Sequence, residues 1–159
     1  MPALRAYFFT NYYLSSIQQG IQTAHCVAEM FAKYPHGDRD DCAATPTLFQ
    51  WAGVDKTIVV LNGGNSQDLR DLRGTIHTLA TKMYLPFAHF AEDEASLNNA
   101  VTCVGIIIPE EIYTSAEVIR DDGIQTLPCV EPEKLATLLN LLKPERELAE
   151  LIAKYSLAR

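Results

Sequence analysis

The stretch LSSIQQGIQTAHCVAE (residues 14–29) carries two amides, an imidazole and a carboxylate at helical spacing: Gln18, Gln22, His25 and Glu29. Residues three and four apart lie on one side of a helix, so the four form a polar stripe. Amides and an imidazole can read the edge of a nucleobase or a ribose hydroxyl by donating and accepting hydrogen bonds. His25 with Glu29 also has the form of a base held by a carboxylate, although such a pair is more often a surface hydrogen bond. Cys26 adjoins His25, but neighbours on a helix point about 100° apart, which argues against a Cys-His dyad.

A second group is NGGNS (residues 62–66). A glycine turn entering a helix can hold a phosphate on backbone N–H groups. The same residues also make an ordinary strand-to-helix turn, and neither a P-loop nor a GxGxxG pattern is present. Asn62, Gly63, Gly64 and Ser66 are therefore candidate binding residues together with Asn11 and Tyr12, and Tyr12 or Tyr13 can stack on a base. His89 between aromatic residues reads as packed, and Glu92, Asp93 and Glu94 read as a solvated acidic turn. No residues fall at metal-ligand spacing, so neither a metal nor a cofactor is expected.

The elements that must position these groups follow from periodicity. Ser15 and Gln18 have the capping-box form and start a helix expected over 16–33. Its apolar residues Ile17, Ile21, Ala24, Ala28 and Phe31 are expected to face the core, with the polar stripe one step round the cylinder. Strands are expected at 4–10, 56–61, 85–90 and 100–108, and a second helix at about 67–84 on Leu69, Leu72, Ile76, Leu79 and Met83. This alternation predicts an α/β fold, a mixed four-stranded sheet with helices on both faces. Residues 34–47 (YPHGDRDDCAATPT) read as a polar insertion, either a mobile surface loop or a lid. Residues 1–112 form the expected core and 113–159 a helical extension. In the extension Leu135, Leu138, Leu139 and Leu142 make one stripe, and Leu148, Leu151, Ile152 and Tyr155 another. Pro132 and Pro144 sit in first turns, where proline is tolerated. That hairpin either caps its own domain or mediates self-association, and a homo-oligomer is expected.

Hydrophobic residues make up 48% of the 159 and charged residues 21%, as in globular domains with a real core. No apolar run reaches membrane-spanning length, and MPALRAYFFTNYY has no secretory-signal pattern. The four scattered cysteines read as free thiols, so a cytoplasmic protein with no membrane partner is expected. Thirteen Lys and Arg against 20 Asp and Glu leave a formal charge of −7, which disfavours a large polyanionic ligand such as RNA.

The order of motifs resembles the type 2 peptidyl-tRNA hydrolase family, over about residues 4–110. Members carry Met/Leu-Ser-x-Gly-Lys-x-Ala-Ala-Gln-x-x-His-Ala entering the first helix, and Leu14, Ser15, Gln22 and His25 fall in register with it. Trp51 with KTIVVL, Tyr84-Leu85-Pro86, and Val101-Thr102-Cys103-Val104-Gly105-Ile106 are similar to later family segments. The resemblance implies the family's α/β fold and, for an active member, ester hydrolysis on peptidyl-tRNA with Gln22 and His25 as catalytic residues. The family's lysine, however, falls on Gln18. Its Arg-x-Asp falls on Phe9, Thr10 and Asn11, and its Asp-Ala-Gly-x-Thr segment is replaced by FAEDEASLNNA. Ester hydrolysis needs an activated water and a stabilised oxyanion, and glutamine cannot supply the missing cation.

Two functions are expected in order. The first is a non-catalytic protein that sequesters a small nucleotide-derived ligand through Asn11, Tyr12, Gln18, Gln22, His25 and the 62–66 turn. Phage sponges that soak up cyclic-nucleotide or ADP-ribose-type defence signals are an analogy for it. The alternative is a divergent hydrolase with tRNA as partner, whose cation comes from Arg5, Lys56 or Arg70. A protein-interaction module is a third, blander reading.

Overall fold

A computed structural model describes residues 2–35, 43–122 and 132–158. The chain is an α/β protein built on a four-stranded mixed sheet in the order β2-β1-β4-β3. The strands are β1 (Leu4–Thr10), β2 (Thr57–Asn62), β3 (Phe87–Ala91) and β4 (Val101–Pro109). β1 and β2 pair in parallel, whereas β4 pairs antiparallel with both β1 and β3. Three strands therefore finish at the same end of the sheet, the end where β4 begins.

β1 and β4 are central and buried on both faces, as expected of continuous apolar strands. Alternation then divides their side chains. Ala6, Phe8, Cys103 and Ile107 face helix α1 (Ser16–Lys33), helix α2 (Thr45–Gln50) and Trp51. Tyr7, Phe9, Val104, Ile106 and Ile108 face helix α3 (Ser66–Met83); after the one-turn helix α4 (Glu94–Leu97) between β3 and β4, helices α5 (Glu110–Asp122) and α7 (Lys143–Ala153) close that second core. On the first face Gly105 lets the layers meet. A Cβ there would come within 2.5 Å of the Phe8 ring and 2.8 Å of the Met30 methyl. A π-helical turn at Trp51–Asp55 leads into β2, with Lys56 in the left-handed region (φ 52°) and the Trp51 indole donating to the Thr57 carbonyl at 3.0 Å.

The boundaries of β1 and α1 agree with the expectation, but α1 is turned. Its buried side chains are Gln19, Gln22, Thr23, Cys26 and Met30, while Ile17 is 77% exposed and Ile21 49%. The expected core stripe thus faces outward from Ile17 through Ala28, and only Phe31, half-buried, turns toward the core. The reason lies in the helix's second half, where Cys26, Met30 and Tyr34 anchor onto Phe8, Leu48 and Trp51. A helix is rigid about its axis, so these larger anchors fix its rotation. The N-terminal half must then bury whatever lies in line, two amides and a threonine.

The tail also departs from a simple extension. α5 was not expected, and it crosses the boundary at 112. Helix α6 (Pro132–Asn140) follows, then α7, whose Leu148, Ala149 and Ile152 are fully buried in the same core as Phe9 and Leu69. α7 is therefore an integral layer of its own domain. In α6 and after it Leu138 is buried, whereas Leu139 and Leu142 are exposed. Leu135 lies outside the described side chains, and 36–42 of the insertion lie outside the described residues. Beyond α7 the chain returns along the outer edge of β2. Ser156 O accepts from Asn62 N at 2.9 Å, and Ala158 N donates to Val60 O at 3.0 Å. This short pairing covers a strand edge that would otherwise be open.

Among the described residues no helix is long and apolar enough to cross a membrane. Truncating a fully buried leucine or isoleucine costs about 2–5 kcal/mol. Leu148→Ala and Ile152→Ala should each lower stability by that amount in urea unfolding. Leu139→Ala, on an exposed face, should change it by less than about 0.5 kcal/mol.

Candidate functional site

In open α/β sheets the ready-made crevice lies at the carboxyl ends of neighbouring strands whose connections leave to opposite faces. β1 and β2 are such a pair. β1 continues through Asn11–Ser15 into α1 on one face, and β2 through Gly63–Asn65 into α3 on the other. Backbone bonds fasten the two exits together, Gly63 N to Thr10 O at 2.8 Å and Tyr12 N to Gly64 O at 3.0 Å. Gly64 has φ +85°, a conformation that glycine adopts without strain. A Cβ on Gly63 would meet the Leu69 side chain at 2.5 Å.

Between the exits lies a crevice of about 380 Å³, lined by Tyr12, Gln19, Asn62, Ser156, Leu157 and Ala158. None of the six side chains is charged. Asn62 Oδ1 accepts from Gly64 N at 3.0 Å, so its amide N–H groups are left over. Gln19 is the reverse case: its Nε2 donates to the Leu14 carbonyl at 3.0 Å, which leaves the side-chain oxygen. The internal bonds thereby fix which amide atom is which. One lining amide is left with donors and the other with an acceptor. Tyr12 is 44% exposed, its ring 4.0 Å from that of Tyr13. Asn11 orders the loop, accepting from Tyr13 N at 3.0 Å.

The NGGNS turn is less receptive to phosphate than its sequence suggests. Asn65 Oδ1 accepts from Gln67 N and Asp68 N, and the Asp68 carboxylate accepts from Asn65 N at 2.9 Å. The helix N-terminus is thus occupied by its own capping box, and a carboxylate sits where an incoming anion would. The Ser66 hydroxyl oxygen is buried without a hydrogen-bond partner.

The polar stripe of α1 divides by role. Gln18 closes the N-terminal capping box, its Oε1 accepting from Ser15 N and from the Ser15 hydroxyl at 3.0 Å each. Gln22 is 7% exposed. Its Nε2 donates to Glu92 Oε1 at 2.7 Å and its Oε1 accepts from the Thr102 hydroxyl at 2.8 Å. It therefore ties α1 to the end of β3 and the start of β4 as a buried polar strut. Glu92, read from sequence as a solvated acid, is the half-buried partner in this network. His25 is exposed and stacks on Phe90 with ring centres 4.5 Å apart. The structure thus brings Asn11, Tyr12, Asn62, Gly63 and Gly64 together, and commits Gln18 and Gln22 to internal bonds. Gln19, Thr102 and the Ser156–Ala158 segment were not singled out from sequence. Gln19 carried a signal only through its place beside Gln18.

None of the cations nominated from the sequence lines this crevice. Arg5 forms an ion pair with Glu117 at 2.6 Å and lies 3.9 Å over the Tyr113 ring. It is five residues back from Thr10, roughly 17 Å at a strand's rise per residue. Lys56 precedes β2 at that same far end, and Arg70 lines a groove between α3 and α7. The Cys103 thiol beside Cys26 is pushed well above its usual range, first by burial and then by Cys26, so it is no thiolate nucleophile. Cys42 and Cys129 lie outside the described residues. Among the described residues no group of His, Cys, Asp and Glu could hold a metal.

No family model matches the chain, and no curated protein matches it.

Removing a strut whose partners stay buried costs about 1–3 kcal/mol. Gln22→Ala should therefore lower unfolding free energy by that amount. His25→Ala, which gives up only a stacked contact on the surface, should cost less than about 1 kcal/mol. Thermal and urea unfolding of the two variants separate the strut from the surface residue.

Proposed function

We propose that this protein is a non-catalytic binding protein on a type 2 peptidyl-tRNA hydrolase-like scaffold. It holds a small nucleotide-derived ligand by its nucleoside portion in the crevice between β1 and β2. The observation that carries this reading is the pair of left-over amide groups: donors on Asn62 and an acceptor on Gln19, in an uncharged crevice beside Tyr12. A nucleobase edge offers adjacent donors and acceptors, and side-chain amides pair with it in two-point fashion. An exposed tyrosine ring supplies a stacking surface, which is sequence-tolerant because every base has a flat face. The volume of about 380 Å³ is in the range of small-molecule sites.

The same features count against hydrolysis. The family's lysine position is Gln18, which is folded back on its own helix cap. None of Arg5, Lys56 and Arg70 lines the crevice. The capped N-terminus of α3 also implies that recognition rests on base and sugar, with any phosphate directed away from the turn.

The test pairs native mass spectrometry of freshly purified protein with calorimetric titration of nucleosides and mononucleotides. Tyr12→Ala removes the stacking ring. Asn62→Asp keeps the oxygen that accepts from Gly64 N but deletes the amide donors. Each should weaken binding about five- to 150-fold, corresponding to roughly 1–3 kcal/mol, with the melting temperature little changed. Absence of any retained molecule, with no nucleoside binding at millimolar concentration, would overturn the proposal.

A further inference from the structure

No charged side chain lines the β1–β2 crevice, but a carboxylate stands beside it. Asp68 is fixed by the capping box of α3, its Oδ2 accepting from Asn65 N at 2.9 Å. The same oxygen lies against Gly64, where a Cβ would come within 2.5 Å of it. The Gly64 carbonyl in turn accepts from Tyr12 N at 3.0 Å, so the carboxylate sits directly behind the loop that carries the crevice's tyrosine. Its charge reaches the rings around the crevice. The Tyr12 phenol is raised above its usual range first by its hydrogen bond with Tyr13, then by burial, by Tyr13 and by Asp68. The Tyr155 phenol is raised first by burial and then by Asp68.

No cation answers this charge. Among the described residues no lysine or arginine lies within ion-pair distance of Asp68, and none lines the crevice. The N-terminus of α3 offsets about half an elementary charge, which leaves a net negative field. The tyrosines add to it. Tyr12 and Tyr13 have ring centres 4.0 Å apart and planes at 34°, so Tyr13 covers one face of Tyr12 and leaves the other. The face of an aromatic ring is its negative side and attracts a cation. The chain's overall charge of −7 favours approach of a cation from a distance.

Resting on the nucleoside reading above, we propose that the crevice selects nucleosides whose base carries a fixed positive charge, of the N-ribosylated pyridinium carboxamide type. The cationic ring stacks on Tyr12 in the field of Asp68. The carboxamide meets the two left-over amide groups: its oxygen accepts from Asn62 Nδ2, and its N–H donates to Gln19 Oε1. A neutral base keeps such hydrogen bonds but gains much less from the ring face and nothing from the carboxylate. Selection for charge thus comes from Tyr12 and Asp68, and orientation from Asn62 and Gln19.

The probes are nicotinamide riboside and benzamide riboside, a neutral isostere in which carbon replaces the charged ring nitrogen. Both are titrated by calorimetry into the full-length protein. Nicotinamide riboside should bind about five- to thirtyfold more tightly at low salt. The ratio should narrow in about 1 M salt, where charges are screened within about 3 Å. Asp68→Asn keeps a side-chain oxygen to accept from Asn65 N and removes the charge. It should weaken nicotinamide riboside about threefold or more and leave benzamide riboside unchanged, whereas a purely structural role would weaken both alike. Equal affinity for the two probes, an undiminished preference in Asp68→Asn, or an equal loss for both would overturn this inference and leave the nucleoside reading standing. Binding of neither probe at millimolar concentration would overturn both.

Discussion

The parallel pairing of β1 with β2, with their exits going to opposite faces, is the constraint on which the rest of the molecule depends. Two adjacent parallel strands cannot be joined by a tight turn, so the chain between them must cross over one face. It does so through α1, α2 and the π-helical turn at Trp51–Asp55. α3 must then take the other face, and the two exits part at Asn11 and Gly63. Packing closes the space below that point, with Phe9 and Leu61 fully buried beneath it. Above it the backbone groups are paired with each other and the lining side chains are left partly unpaired. The crevice is a consequence of topology, and its chemistry is set by which residues fall on its rim.

The rotation of α1 shows how packing at one end of an element decides chemistry at the other. Met30 fits against Phe8 because position 105 is glycine. That contact turns Gln19, Gln22 and Thr23 inward, where each must find partners to avoid the cost of burying a polar group. Thr23 donates to Gln19 O, Gln19 to Leu14 O, and Gln22 bridges Glu92 and Thr102. Of the two amides in the expected binding stripe, Gln22 is a strut and Gln18 a helix cap. Only Gln19 retains an oxygen toward the crevice side.

Much of the architecture was legible in the sequence because strands and helices announce themselves by period. β1 and α1 lie where the aromatic run ending at Thr10-Asn11 and the Ser15–Gln18 capping box place them. The rotation of α1 was not legible. Ile17, Ile21 and Ala24 make as good an apolar stripe as Cys26, Met30 and Tyr34, and nothing local says which end has the heavier partners. α5 had a readable signal in Ile112, Tyr113, Ala116 and Ile119 after Pro109, but the β-branched residues among them make a weak helix pattern. The edge pairing at Ser156–Ala158 is too short to carry any period. At the site, the turn residues were found because glycines mark them. Glu92 and Thr102 were not, since their roles arise only when elements about 70 to 80 residues apart in sequence meet at the sheet's end, and Gln19 was not because its burial follows from the rotation of α1.

The central claim, that the β1–β2 crevice recognises a nucleoside, is tested most directly by mapping backbone amide NMR shifts during titration with adenosine. Adenosine lacks a phosphate, so it reports on recognition of base and sugar alone. The account predicts saturable shifts concentrated at Tyr12, Gln19, Asn62 and residues 156–158, with Arg73 and His89 unmoved. Shifts that gather elsewhere, or saturable binding that leaves Asn62 and Gln19 unperturbed, would contradict it.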